Sequence, residues 1–322
     1  MPAARLTPPS SRVADAVLAL LAGGDPADAS AASGLAPDDL ADAAQAYHAA
    51  GIIALEQRET ARWHQVRVRP GRQQPPELPL ATVVGPRLDR LIASRAPGGG
   101  WWYMNKPPGW RIRLRDTPPS LAGEFFDDLI AAGAITAWSP ALYEPEAAAF
   151  GGVAGMGIAH DLFCADTSGI LAYIRQDNPP LGRREVSVLL ISAMLAAAGL
   201  DWYERGDIFT RVAAMRPEPA SGAAEQAAQL AGQLRTLLAM PAAAASALFS
   251  EGGAGGAAAR WHAGFTDAGR RLAGASSSGT LSRGPRAVLA HSVIFHWNRL
   301  GLPAAAQAIL ARAAASACLP GD

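Results

Sequence analysis

From Ser11 onward, apolar residues recur at helical intervals, with Val13, Val17 and Leu20/Leu21 falling at i, i+4 and i+7/i+8. Gly23-Gly24 stops that helix, and Asp25-Pro26 starts a second with an aspartate cap and a proline in the first turn. A third helix, from near Pro37, places Leu40, Ala44 and Tyr47 on one face and ends at Gly51. The short apolar run IIALEQR that follows reads as a strand. Three helices and a strand outline a small winged-helix-like module over residues 11–58, behind a proline-rich tail at 1–10 that is expected to be disordered.

The period changes over residues 62–144. WHQVRVR alternates as a strand does, PRLDRLIAS is helical, and GWWYMNK and WRIRLR are strands separated by a Pro-Pro-Gly turn. SLAGEFFDDLIAAG is an amphipathic helix, and AITAWSPALYEP is a final extended segment. The order β-α-β-β-α-β is the split βαβ of ferredoxin-like domains, which predicts an antiparallel sheet with helices on one face. From about Gly155 the pattern is mostly helical. The expected fold class is therefore α+β, with residues 59–322 forming one body: the sheet followed by a helical half.

Composition narrows the function. Basic and acidic residues balance at 28 each, and half of the chain is apolar, so neither a disordered protein nor a broad nucleic-acid binder is indicated. The amino-terminal module carries Arg12 alone against seven carboxylates over residues 11–57, a surface that repels a phosphate backbone. It reads as a docking or packing module. No apolar stretch reaches the roughly 18 residues of a membrane span, and no signal peptide is visible, so a cytoplasmic protein without membrane contact is expected. Of the 28 basic residues, Lys106 is the only lysine, and Pro107 follows it, which excludes a phosphate-loop GK[ST]. Cys164 and Cys318 are isolated, the histidines lack metal-ligand spacing, and GxGxxG, GxSxG and HExxH are absent.

Three constellations remain. In Val288–Leu300 the apolar side chains point nearly all round a helix, which marks it as buried. Ser292, His296 and Arg299 nevertheless share an arc of roughly 60°, and His291 and Asn298 share a second, by the 3.6-residue geometry. Spacing alone allows either an internal hydrogen-bond network or a polar edge facing a cleft. In WRIRLRD, Arg111, Arg113 and Arg115 project to one face of a strand, with Ile112 and Leu114 on the other. Such a row needs carboxylates between its members, with Asp116, Glu144 and Glu146 as candidates, or a ligand carrying oxygens. Tyr143 stands at a strand end before a glycine turn. Asp166, before Thr-Ser-Gly, reads as a helix cap. His160 lies one turn from Cys164 without an evident third partner.

WWYMNKPPGWRIRLR, YEPEAAAFGG, AHDLFCADTSGIL, LDWYERGD and HSVIFHWNRLGL follow one another in an order that resembles the carboxy-terminal elimination domain of lantibiotic dehydratases. The matching family runs look like HLRLR, YEPE-RYGG, an LFHADS-like helix end and HMHCNRLLG. The resemblance covers roughly residues 62–305, and five weak motifs in register are together specific. Stand-alone members of this size, with a small helical domain ahead, resemble thiopeptide pyridine synthases. Arg113 and Arg115 match the two arginines of HLRLR, and His296 matches the second histidine of HMH. Ala149 stands where the eliminating enzymes have the arginine of RYGG, and Ile294 where they have the first histidine. These departures point away from a glutamyl lyase.

The resemblance implies a formal [4+2] aza-cycloaddition between two dehydroalanines of an azole-bearing ribosomal peptide, then loss of water and of the leader peptide. No metal or organic cofactor is expected. The expected partners are the precursor peptide, leader plus dehydrated core, and other biosynthetic enzymes, with no nucleic acid. His296, Ser292 and Tyr143 are the expected acid-base groups. Arg113, or Arg299 with Asn298, is suited to polarise the reacting amide oxygen. Arg115, Trp101, Trp102, Phe150 and Trp297 complete the expected binding set, the aromatic rings as surfaces on which thiazoles stack. Two rival readings stay open: a stand-alone glutamate-eliminating lyase, and a non-catalytic scaffold that binds the leader peptide.

Overall fold

The computed structural model of the protein describes residues 9–71, 77–94, 98–217 and 222–319. Of the expected tail at 1–10, only Pro9 and Ser10 fall among them. The chain divides into two units, one ending at Ala61 and the other beginning at Arg62.

The first unit is helical throughout its described residues: α1 (Ser10–Leu21), α2 (Pro26–Ser33) and α3 (Pro37–Ala61). Its small core joins Val17 to Leu40, with Ala16, Ala29 and Ala44 closing the gaps. Asp25 caps α2 by accepting from the backbone N–H groups of Ala27 and Asp28, and Gly34 ends it at a φ of 74°. The expected strand over IIALEQR is absent, because α3 runs through Gly51 to Ala61. Ala54, Leu55, Glu56, Gln57 and Arg58 are strong helix formers, and they outweigh two isoleucines. The winged-helix outline therefore lacks its strand, and Ile52, Ile53 and Leu55 are exposed.

In the second unit the strands are β1 (Trp63–Pro70), β2 (Gly100–Lys106), β3 (Gly109–Arg115) and β4 (Ile135–Ala141). They form one antiparallel sheet in the order β2-β3-β1-β4, the split βαβ arrangement. Between β1 and β2 lie α4 (Glu77–Pro79), a π-helical stretch (Leu80–Val84) and α5 (Gly85–Ala93), while α6 (Pro119–Ala131) joins β3 to β4. Alternation gives the sheet two unlike faces. On one, Val66, Val68, Ile112 and Leu114 are buried, and α5 and α6 bring Asp89 and Asp127 to the indole N–H groups of Trp101 and Trp138. The other carries Trp63, Gln65, Arg67 and Arg69 of β1 beside Arg111, Arg113 and Arg115 of β3 and Trp102 of β2.

The helical half begins with α7 (Gly152–Ile174), whose His160 and Phe163 lie against Trp63 and Trp102 on that second face. Then follow α8 (Arg183–Ala197), α9 (Trp202–Ala214), α10 (Ala223–Leu238), α11 (Ala242–Leu248), α12 (Ala259–Ser277), α13 (Pro285–Arg299) and α14 (Ala304–Cys318). The last carbonyls of α13, which its own ladder leaves unpaired, are taken up by β2. The Tyr103 hydroxyl donates to the Arg299 carbonyl, and the Asn105 amide donates to the carbonyls of Asn298 and Arg299. That contact fixes the end of α13 against the sheet.

α7 and α12 approach closely because Gly169 faces the Trp261 indole, and a β-carbon there would overlap the ring. We expect Gly169→Ala to lower stability by about 1–3 kcal/mol through overpacking. Gly157→Ala, on the same helix but facing open space, should raise it by about 0.4–1 kcal/mol. Urea unfolding of the two variants checks both signs.

Candidate functional site

The centre of the second unit is a buried carboxylate. Asp166 lies within α7 and is wholly enclosed. The expectation of a helix cap does not hold, since α7 continues past it for two further turns. Its Oδ1 accepts from Trp261 Nε1 and faces His296 Nδ1, both at 2.8 Å, and its Oδ2 accepts from Arg299 Nε at 2.8 Å. On the far side of the imidazole, Nε2 meets the Ser187 hydroxyl at 2.9 Å, and that oxygen also accepts from Trp297 Nε1. His296 therefore donates from Nδ1 to the carboxylate, and both of its ring nitrogens have partners. Burial pulls the Asp166 carboxyl upward, but His296 and Arg299 outweigh it and hold it below the usual carboxylate range.

This network locks Arg299 in a single pose. Its two terminal nitrogens are buried without a partner in the protein, and its guanidinium carbon sits 4.3 Å from the Phe163 ring centroid and 5.8 Å from that of Trp102. A second guanidinium reaches the same indole from the sheet. Arg113 is held by Gln65, which accepts from its Nε at 2.7 Å, while its guanidinium carbon lies 4.1 Å from the Trp102 ring centroid. One terminal nitrogen of Arg113, and Trp102 Nε1, are likewise buried without a partner. Four unpaired nitrogens on three side chains thus gather around one indole. Buried donors of this kind fit an oxygen ligand. Burial, with Arg111 and Arg299 nearby, lowers Arg113 to about 10.

Beside them, Tyr143 and His160 form a pair, with the hydroxyl 2.7 Å from His160 Nε2. The Tyr143 ring centroid is 5.5 Å from the Arg113 guanidinium carbon. Burial raises the Tyr143 hydroxyl above its ordinary value. Burial and the nearby guanidinium of Arg115 push the His160 imidazole down to about 4. Tyr143, His160 and Arg113 keep 7–8 % exposure, whereas Trp102 and Arg299 keep 1 % and His296 none. The tyrosine, its histidine and Arg113 are the accessible rim; Arg299 and His296 lie deeper.

The expected site residues therefore separate. Arg113, Tyr143 and Arg299 come together around Trp102. His296 is sealed on both ring nitrogens, so it does not face a cleft as an acid-base group would. Ser292 turns back to donate to the Val288 carbonyl of its own helix and does not join His296. Arg115 is taken up by an ion pair with Asp161 at 3.0 Å, and Asp116 pairs with Arg62. Asn298 accepts from Gln307 Nε2, away from the site. Trp101 points to the opposite sheet face, Phe150 packs among Phe163 and Phe295, and Trp297 is locked to Ser187, so none of these rings offers a free stacking surface. Cys164 is no nucleophile beside His160: burial lifts its thiol to about 12. Gln65, His160, Asp166 and Ser187 were not among the expected site residues, whereas Trp102 was expected as a stacking surface and instead has Arg113 over its ring. For Asp166 a signal exists, because a carboxylate within so apolar a helix requires a buried partner.

An antiparallel split βαβ sheet with guanidiniums along one face, backed by a helical half, defines the class, and the sequence places the chain in it. The chain belongs to the lantibiotic biosynthesis dehydratase C-terminal family, whose profile matches residues 63–318. Among solved structures it is similar to TsrL, at 18% identity and a TM-score of 0.55, over 79% of this chain and 93% of that one. It is also similar to TbtD, a pyridine synthase from thiomuracin biosynthesis, at 17% identity and a TM-score of 0.52, over 80% and 97% of the two chains. The tRNA-dependent lantibiotic dehydratase MibB from Microbispora sp. 107891 matches at 17% identity and a TM-score of 0.54. That match covers 79% of this chain but spans only 28% of MibB. No curated protein sequence matches at a comparable level. At these identities the likeness is one of fold. Among the described residues, no helix is long and apolar enough to cross a membrane.

Two outcomes are expected. Asp166→Asn leaves Arg299 buried beside a neutral group and should cost about 3–5 kcal/mol in a denaturant titration. His160 generates a pH dependence. Its folded value near 4 lies below the unfolded value of about 6.5, so the unfolded state binds the extra proton between the two. Stability should be full above about pH 6.5 and fall by about 3 kcal/mol as the pH drops to 4. His160→Gln should flatten that slope; an unchanged slope would remove His160 as its source.

Proposed function

We propose that the protein is a pyridine synthase, joining two dehydroalanines of an azole-containing ribosomal peptide by a formal [4+2] aza-cycloaddition. One observation carries this reading: buried, unpaired N–H donors of Arg113, Arg299 and Trp102 lie beside a tyrosine–histidine pair on the only slightly open rim of the site. In the reaction, the amide of one dehydroalanine moves its N–H proton to oxygen, giving the iminol form of a 2-azadiene. The second alkene adds across the two carbon termini of the diene, forming two C–C bonds, while both C–N bonds of the new ring are those of the original amide. Water then leaves from the carbon bearing the former amide oxygen, and the leader peptide leaves as its amide, aromatising the ring. Protons move, but no net oxidation or reduction occurs.

The residues fit those demands in order of depth. Arg113 and Trp102 donate to the reacting amide oxygen and stabilise its developing charge. Tyr143, with its hydroxyl on His160 Nε2, passes the proton in tautomerisation and dehydration, the imidazole serving as reservoir. Arg299 adds two fixed donors without having to reorganise, and His296 acts on the reaction only through Asp166, as a positioning residue. Holding two distant alkenes together supplies the remaining drive, for which proximity offers roughly 7–11 kcal/mol. The peptide substrate is expected with no metal or organic cofactor.

A second reading has its own support. Paired guanidiniums also suit a glutamyl carboxylate, so a glutamate-eliminating lyase would use Arg113 and Arg299 to bind its leaving group. Ala149 in place of the family's arginine favours cyclisation over elimination.

The test is turnover of a bis-dehydroalanine, azole-bearing precursor, followed by mass spectrometry for loss of water and of the leader amide. We expect Arg113→Ala to slow product formation by about 10²–10³-fold and Tyr143→Phe by about 10²–10⁴-fold. Activity should survive exhaustive chelation. Conversion of a glutamylated peptide to dehydroalanine would establish the lyase instead, and tight peptide binding without any product would establish a scaffold.

A further inference from the structure

The sheet face that bears Arg113 is only partly covered by α7. Beyond it, a concavity of about 540 Å³ opens over β1, β3 and β4 and is lined by Arg67, Arg69, Lys106 and Arg111. No carboxylate lines it. Arg67, Arg69 and Lys106 are exposed and Arg111 half-buried, and none of the four has an ion-pair partner among the described residues. This contrasts with Arg62, Arg115, Arg183, Arg211 and Arg271 of the same unit, each of which meets an aspartate or glutamate.

The pairing register sets the spacing of the charges. Arg67 stands directly opposite Arg111 across the β1–β3 ladder, and Ser139 stands opposite Arg67 on β4. Arg69 follows Arg67 by two positions, on the same face and roughly 6.8 Å farther along the strand. Directly opposed like charges repel, so this cluster does not arise for the stability of the sheet. In a concave site, such a cluster focuses a positive potential.

We infer that this floor binds an extended acidic peptide segment, with carboxylates at alternate positions set against Arg67 and Arg69 and shared by Arg111. The period-2 spacing of an extended chain matches that of β1, which places successive acidic side chains over successive arginines. Guanidiniums take carboxylates in two-pronged pairs, whereas Lys106 at the hairpin adds a point charge. A nucleic acid fits less well. The chain as a whole has no net positive charge, and the concavity has the volume of a ligand pocket and not of a long groove. The inference is independent of the reaction proposed above, because it concerns affinity alone.

The experiment uses the full chain and a fluorescein-labelled Glu-Ser-Glu-Ser-Glu-Ser-Glu peptide, followed by fluorescence anisotropy. Binding should be measurable at 50 mM salt and weaken steeply at higher salt. The double variant Arg67→Gln/Arg69→Gln, both on exposed side chains, should retain its melting temperature and bind about tenfold more weakly. Arg270→Gln, on an exposed helix site, should bind as the unaltered chain does. A Ser-Gln peptide of the same length should not compete. No binding, equal affinity in the double variant, or tighter binding of a ten-residue oligodeoxythymidine through the same two arginines would each overturn the assignment.

Discussion

The helical half of this protein is organised around one buried negative charge. A carboxylate enclosed in an apolar helix is costly, and it persists only if its oxygens are paired with donors or cations. Asp166 meets that demand with three partners from two helices: Trp261 of α12, and His296 and Arg299 of α13. Ser187 extends the set to α8 by closing the far side of His296. Four helices are thereby held in one register. The same carboxylate fixes the guanidinium of Arg299 through Nε, leaving its two terminal nitrogens buried and unpaired near the Phe163 and Trp102 rings. Conformational specificity and chemical preorganisation come from one contact.

The sheet solves the same problem by other means. Arg113 has no counter-ion within bonding distance; a neutral amide, Gln65, holds its Nε, and Gln65 is itself anchored to the Leu142 carbonyl. A carboxylate in place of Gln65 would neutralise the guanidinium and weaken its pull on an incoming oxygen. The amide orients without neutralising. The indole face of Trp102 then compensates part of the buried charge through its quadrupole, at a distance of 4.1 Å. Two guanidiniums therefore coexist near one ring, one balanced by a carboxylate and the other left electrophilic. On the proposed function that asymmetry divides their work: Arg299 as a fixed wall, Arg113 as the group that responds to substrate charge.

Much of the fold was legible in the sequence, for identifiable reasons. The β1 run and the arginine row of β3 alternate, and glycine and proline punctuate the hairpin between β2 and β3, so the two-faced character of β3 follows from period 2. The failures came where local signals mimic ends. Gly51 looked like a stop, yet nothing crowds it and strong helix formers follow, so α3 continues. Asp166-Thr167-Ser168 looked like a cap, yet burial and distant partners keep α7 intact. Within the site, Arg113 and Tyr143 could be picked out because each stands at a position fixed by the strand pattern. His160, Gln65 and Ser187 could not, because their partners lie 17, 48 and 109 residues away in the chain.

Helical spacing also explains why His296 and Ser292 misled. A shared arc shows which way side chains point from one helix, but not what stands opposite. In α13 that arc meets α7 and α8, both of which bring polar atoms of their own, so His296 is satisfied from outside the helix and Ser292 from within it. A group bound on both sides has little freedom to trade protons with a substrate. Its worth lies in orientation: with Nδ1 directed at Oδ1, Asp166 is left to present Oδ2 to Arg299 alone. On the proposed function the acid-base task then passes to the pair with one face toward the rim. There the Tyr143 hydroxyl lies 2.7 Å from His160 Nε2, and burial with the nearby Arg115 keeps that imidazole neutral. Burial thus acts on both histidines, sealing one into the structure and holding the other neutral beside the rim.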